Sequence, residues 1–132
     1  MKEQLVSIKT ARLAKKQEFD WETYDAFVET HPYRCPLTEH FNRKDFPKKA
    51  ISRPTQSLLQ KWLREVHGIN IFMSFKPNIK KWDFIPYFMS MDAKEYIEYN
   101  SNYTKQNNKR RFDTYEDALE IGLQEALKLI QK

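Results

Sequence analysis

Apolar side chains recur at two different spacings along this chain, and the change from one to the other marks its elements. Over residues 55–67, Leu58, Leu59, Trp62, Leu63 and Val66 share one side of a helical repeat, while Gln60, Lys61, Arg64 and Glu65 face away. Pro54 can open this helix, Thr55 can cap it, and Gly68 can end it in a left-handed turn. The period then drops to two. In Ile69-Asn70-Ile71-Phe72-Met73-Ser74-Phe75 the alternation sets Ile69, Ile71, Met73 and Phe75 on one face of a strand. Lys76-Pro77-Asn78 opens a turn, and residues 82–90 return, with Pro86 placing that strand at an edge or a bulge. Residues 94–100 read either as a third strand, through Tyr96, Ile97 and Tyr99, or as a short helix, through the capping-box spacing of Asp92 and Glu95.

Residues 101–111 read as a polar, basic loop. Asp113 then caps a last helix, with Glu116 three residues on, and Tyr115, Leu119, Gly122, Ala126 and Ile130 line one face. Acidic Glu116, Asp117 and Glu120 near its start and Lys128 and Lys132 near its end match the helix dipole. A glycine inside a helix costs about 1 kcal/mol relative to alanine, so Gly122 points to close packing against the sheet. Nearer the N-terminus, residues 5–17 predict a helix capped by Ser7, covered by Phe19 and Trp21. Residues 22–29 predict a strand with Tyr24, Ala26 and Val28 opposite Phe27. Residues 30–53 read as a long connection, interrupted by Pro32, Pro36 and Pro47 and anchored by Phe41, Phe46 and Ile51. The fold class is therefore α+β. It is a single domain over 1–132, with an N-terminal helix and connection (1–53) and a helix–sheet–helix core (54–132) holding two or three antiparallel strands.

Composition narrows the class of protein. With 132 residues, 40% hydrophobic and 31% charged, the chain suits one folded domain. One cysteine, Cys35, allows no internal disulfide and fits a reducing compartment. No apolar run reaches the length of a signal peptide core or a membrane span, so the expectation is a cytoplasmic protein with no membrane partner. The net charge of +5 is uneven: residues 54–111 carry 10 basic and 5 acidic groups, whereas residues 112–132 carry 2 and 5. The two glycines, Gly68 and Gly122, exclude Gly-rich phosphate cradles, and no nucleophile elbow or HExxH appears. No cofactor is implied, and an enzyme is not expected.

The stretch Pro54-Thr55-Gln56-Ser57-Leu58-Leu59-Gln60-Lys61-Trp62-Leu63-Arg64-Glu65-Val66-His67 resembles a family of small uncharacterised proteins carried by bacteriophages, prophages and mobile elements of gut bacteria. Phe112-Asp113-Thr114-Tyr115-Glu116-Asp117-Ala118-Leu119-Glu120, the following Gly122-Leu123-Gln124-Glu125-Ala126-Leu127, and the opening Val6-Ser7 and Thr10-Ala11-Arg12-Leu13-Ala14-Lys15 resemble the same family. Its relatives often have glycine near position 18, where this chain has Glu18. The resemblance implies an accessory protein and names no chemistry. The element order also resembles that of double-stranded-RNA-binding domains, where lysines at the start of the last helix meet phosphate. Here that stretch is Thr114-Tyr115-Glu116-Asp117-Ala118, whose carboxylates repel phosphate. The sheet and last helix are similar to arm-type DNA-binding domains of phage integrases. That resemblance implies a three-stranded reading sheet using Lys76, Lys80, Lys81 and Trp82 with the 105–111 loop.

Two sets of residues are candidates for chemistry. Lys105, Lys109, Arg110 and Arg111, with Tyr103 nearby, can hold phosphates and stack a base, and Lys76, Lys80, Lys81 and Trp82 can extend that surface. The plainer account is a solvated loop and a hairpin turn beside a core tryptophan. His31, Cys35 and His40, with Glu39 adjacent, offer metal-type ligands, but a structural zinc site wants four and no second pair appears. His67, in the last turn of its helix, suits a cation facing the dipole. The leading expectation is thus a non-enzymatic accessory protein acting through contacts with a protein partner. The alternative is a nucleic-acid-binding module using the basic loop and hairpin.

Overall fold

The computed structural model describes residues 3–43, 49–107 and 110–130. Phe46, Pro47, Lys109 and Lys132, which the sequence reading singled out, lie outside the described residues. Among the described residues nine elements follow in order: α1 (Ile8–Lys16), β1 (Thr23–Val28), β2 (His31–Glu39), β3 (Ala50–Arg53), α2 (Gln56–His67), β4 (Ile69–Lys76), β5 (Lys81–Phe88), α3 (Ala93–Asn107) and α4 (Tyr115–Leu129). They form two antiparallel sheets, β2-β1-β3 and β4-β5. The α+β class stands.

The strongly periodic elements fall where the sequence puts them. The Thr55 hydroxyl accepts from the Leu58 N–H, and Gly68 ends α2 at φ +64°. Leu59, Trp62 and Leu63 are buried, whereas Val66, on the edge of the stripe, is half exposed. Strand β4 pairs with β5 from Ile69–Phe88 to Lys76–Lys81. Pro86 lies opposite Ile71, tolerated because its sheet has only two strands. On α4, Gly122 meets the hairpin: a Cβ there would lie 3.2 Å from Ile71 Cγ2 and 3.2 Å from Phe84 Cγ. The cap of α4 is Thr114, accepting from the Asp117 N–H, one residue later than expected. Asp113 is held instead by an ion pair with Lys81.

Three expectations are corrected. The 30–53 connection contains strands β2 and β3, which flank β1. Pro32 and Pro36 sit in the outer strand, where Pro32 faces Phe27 across the ladder and needs no N–H for a further neighbour. The candidate third strand at 94–100 is part of helix α3, and so is most of the supposed basic loop. Asp92 and Glu95 form a capping box: the Glu95 N–H donates to Asp92 Oδ1 at 2.8 Å, and the Asp92 N–H to Glu95 Oε1 at 3.4 Å. Tyr96, Tyr99 and Tyr103 then share one helix face. Beside β5, where a third strand would lie, there is a single bridge between Trp82 and Phe112.

One buried cluster joins both halves of the chain. It draws Val6, Ala11, Ala14, Phe19 and Phe27 from the N-terminal part together with α2, β4, β5 and α4. Ala26, Phe41 and Ala50 form a smaller cluster on the other face of β1. A polar network ties α1 to α4. Glu120 Oε2 accepts from the Ser7 N–H at 3.0 Å, the Ser7 hydroxyl at 2.9 Å and the Thr10 hydroxyl. Gln56 Nε2 donates to Glu120 Oε1 at 3.0 Å and to the Glu116 carbonyl at 2.9 Å. Gln124 donates to Thr10 at 3.1 Å.

Two turns hold non-glycine residues in left-handed backbone. Glu18, just past α1, has φ +66°, a conformation that favours glycine. The β1–β2 hairpin closes through Glu29 (φ +51°) and Thr30 (φ +73°), with Val28 facing His31. A two-residue turn with both φ positive favours Asn-Gly, and a β-branched residue is strained there. Glu29→Asn with Thr30→Gly is expected to raise stability by about 1 kcal/mol, measured as a shift of the urea midpoint without a change in slope.

Candidate functional site: a cleft under helix α3

The pleat of β4 and β5 separates two faces. Ile69, Ile71 and Met73 look toward the helices α2 and α4. Phe72, Ser74 and Lys76, with Asp83 and Ile85 opposite, look outward. Helix α3 packs along β5. The Tyr99 hydroxyl donates to the Pro86 carbonyl, the Tyr96 and Tyr87 rings meet at 4.8 Å, and Tyr103 approaches Phe84 at 6.5 Å. Ile85 is thereby 6% exposed. The β5 side of the face that an integrase-like sheet would present to DNA is covered, while Phe72 on β4 stays 52% exposed.

Between α3 and the strands lies a cleft of about 200 Å³, bordered by Lys76, Asp83, Tyr103, Arg110 and Arg111. Arg110 is anchored to Glu125 at 3.1 Å. Arg111 and Lys76 share one carboxylate, Asp83, at 3.7 and 3.8 Å. Burial pushes the phenol of Tyr103 well above its usual value, with Glu125 adding to the shift and Arg110 opposing it. Burial raises Tyr99 in the same way, helped by Tyr96. Both hydroxyls stay protonated at neutral pH.

The structure therefore unites part of the predicted basic set and separates the rest. Lys76, Tyr103, Arg110 and Arg111 meet at the cleft. Lys81 is paired with Asp113 across the end of the hairpin, and Lys80 and Lys105 are exposed outside the cleft. Trp82 faces the other side, stacked between Phe75 at 5.1 Å and Tyr115 at 5.2 Å. With Ile79 these rings form an aromatic tip: Phe75, Ile79 and Tyr115 are 44%, 48% and 36% exposed. Sequence reasoning missed Asp83, Asn100 and Glu125, whose placement follows from strand register, from 94–100 being helix, and from how α4 packs beside Arg110.

His31, Cys35 and His40 do not converge. His31 begins β2, Cys35 packs beside the Ala26 cluster, and His40 meets the Asp20 carbonyl at 2.6 Å and Glu22 at 3.2 Å. Among the described residues no group of three His, Cys, Asp or Glu side chains is placed to hold a metal ion. His67 departs from its expected role as a cation. Its ring packs edge-on to Trp62 at 4.6 Å, and burial lowers its pKa below the ordinary 6.5. The unfolded chain then takes up a proton at higher pH than the folded one. The contribution is complete above the unfolded value and is lost as pH falls through the lower folded value. Melting temperature is expected to fall on mild acidification, and part of that fall should be absent from His67→Gln.

These features define a small α+β domain with a partly covered hairpin and an exposed aromatic tip. Compared with known proteins, the chain matches no family model, no curated protein and no solved structure. No helix among the described residues is long and apolar enough to cross a membrane.

Proposed function

We propose that this chain is a non-enzymatic accessory protein, cytoplasmic and of phage or mobile-element type, that works by binding another protein. The observation that carries this reading is the aromatic tip formed by Phe75, Trp82, Tyr115 and Ile79. Contiguous exposed apolar surface with a charged rim is the anatomy of a protein interface, and the Lys81–Asp113 pair and Lys80 supply such a rim. The phage and mobile-element origin rests on the sequence resemblance alone.

The nucleic-acid alternative has weaker support. Lys81 and Arg110 already face carboxylates, and α3 covers the β5 side of the hairpin's outward face. Phosphate binding by displacement of counterions needs cations that are free to meet a backbone. A pull-down from host lysate with wild-type protein and with Phe75→Ser/Ile79→Ser separates the readings. Loss of a captured protein in the variant supports the proposal. Capture that is indifferent to the variant argues against the tip. Binding to heparin and duplex DNA that weakens steeply with salt would overturn the preference in favour of nucleic acid.

A further inference from the structure

We propose that the cleft under α3 is a binding site for a small oxyanion, a carboxylate or a phosphate monoester, carried on a flat apolar body. The case begins with Arg111. Its side chain is 28% exposed, yet its Nε is buried with no hydrogen-bond partner. Its one hydrogen bond runs from Nη1 to the neighbouring Arg110 carbonyl at 3.4 Å. Its ion pair with Asp83, at 3.7 Å, is beyond hydrogen-bond length. A guanidinium carries five donors in a fixed fork that suits the two oxygens of a carboxylate or phosphate. Native structures rarely leave buried donors unsatisfied, so this guanidinium, which lines the cleft, has donor capacity to spare for an acceptor.

Lys76 repeats the pattern. It stands 3.8 Å from the same Asp83 oxygen, again without hydrogen-bond contact. Two cations thus share one carboxylate, and Arg110 in turn shares Glu125 with Lys128, which stands 3.8 Å from the same oxygen. Cations outnumber carboxylates around the cleft, and its small volume suits a single small anion and not a phosphate backbone. Ser74, Asn100 and Thr104 add neutral hydrogen-bonding groups to the lining. Phe72, half exposed on β4, and Tyr96 supply flat apolar walls. The volume, about 200 Å³, lies below that of ordinary drug-sized sites of roughly 300–1,000 Å³ and matches a one-ring ligand. None of these residues belongs to the aromatic tip, so the two proposals fail or succeed separately.

The test is a nuclear magnetic resonance titration of the full chain at low salt with phenyl phosphate, benzoate and inorganic phosphate, and with benzyl alcohol as the uncharged control. Phenyl phosphate and benzoate are expected to saturate, moving amide signals around Ser74–Lys76, Asp83, Asn100–Thr104 and Arg110–Arg111. Benzyl alcohol should not. Inorganic phosphate is expected to bind the same residues more weakly, for want of the ring. Equal binding of phosphate and phenyl phosphate would overturn the apolar part of the proposal. Arg111→Met is expected to weaken phenyl phosphate about tenfold or more, and Arg111→Lys less, since charge remains but the fork is lost. Should Arg111→Met fail to fold, the half-exposed Lys76→Met carries the test and should also weaken binding severalfold. Absence of saturation by every anion, or an unchanged affinity in both Met variants, sinks the proposal.

Discussion

Replacing Gly122 by leucine is expected to destabilise the fold by about 3 kcal/mol, lowering the melting temperature by roughly 10 °C. Helix α4 crosses the hairpin with no side chain at this point. Even the first added carbon would lie 3.2 Å from both Ile71 and Phe84, closer than ordinary van der Waals contact. Leucine adds three more carbons where both neighbours belong to the main buried cluster. The strands must part or the helix must lift, and either response breaks the packing of Ala118, Leu119 and Ala126. Gly122→Ala separates two effects. It gains about 1 kcal/mol of helix propensity and meets only the first contact, so its net change should be small. A leucine variant that melts like the wild type would remove the close-packing role altogether.

Glu120→Ala is expected to cost a comparable amount, about 3 kcal/mol, for the opposite reason: it removes an acceptor that several donors need. The Ser7 N–H, the Ser7 and Thr10 hydroxyls and the Gln56 amide all turn toward this one carboxylate. Thr10 is fully buried and Gln56 nearly so, so their donors have no water to fall back on. Leaving a buried donor unmade costs about 1–3 kcal/mol, and members of one network do not add independently. Glu120→Gln should recover part of the loss, since its amide oxygen still accepts while its NH2 group faces a donor. Denaturant midpoints of Glu120→Ala, Thr10→Val and the double variant measure the coupling. Strict additivity would mean that the two residues do not share a network.

Both residues show what can be read from a sequence. The smallness of Gly122 is visible within the periodic pattern of α4, and the structure supplies the neighbours. The role of Glu120 is not visible, because its donors lie 64 and more than 100 residues away along the chain. Among the elements, α2, the β4–β5 hairpin and α4 are legible because each buries one face and exposes the other. Strand β2 buries neither face to any extent, so no alternation marks it. Its turn, Glu29–Thr30, also lacks the residues that usually signal a tight hairpin. Helix α3 hides for a related reason: its inner face is tyrosine, and Ile97, its one aliphatic residue beyond Ala93, is 68% exposed. At the candidate site, Lys76, Arg110 and Arg111 are conspicuous as charges. Their confinement in a cleft depends on Asp83 lying across the ladder from Ser74 and on α3 being a helix.

The tie between α1 and α4 also bears on how the chain comes off the ribosome. Ser7 and Glu120 are separated by 113 positions. At about 5–20 residues per second, α1 emerges several seconds or more before the helix that completes its burial. During that interval the face of α1 built from Ala11 and Ala14 lacks α4, and Val6 has its backbone bonds with Arg53 and Pro54 but not the buried cluster that α4 completes. Contacts this distant in sequence slow folding, since the chain must close a long loop before they repay the entropy. A nascent chain arrested before α4 is therefore expected to keep α1 accessible to protease, and release of the complete chain to protect it.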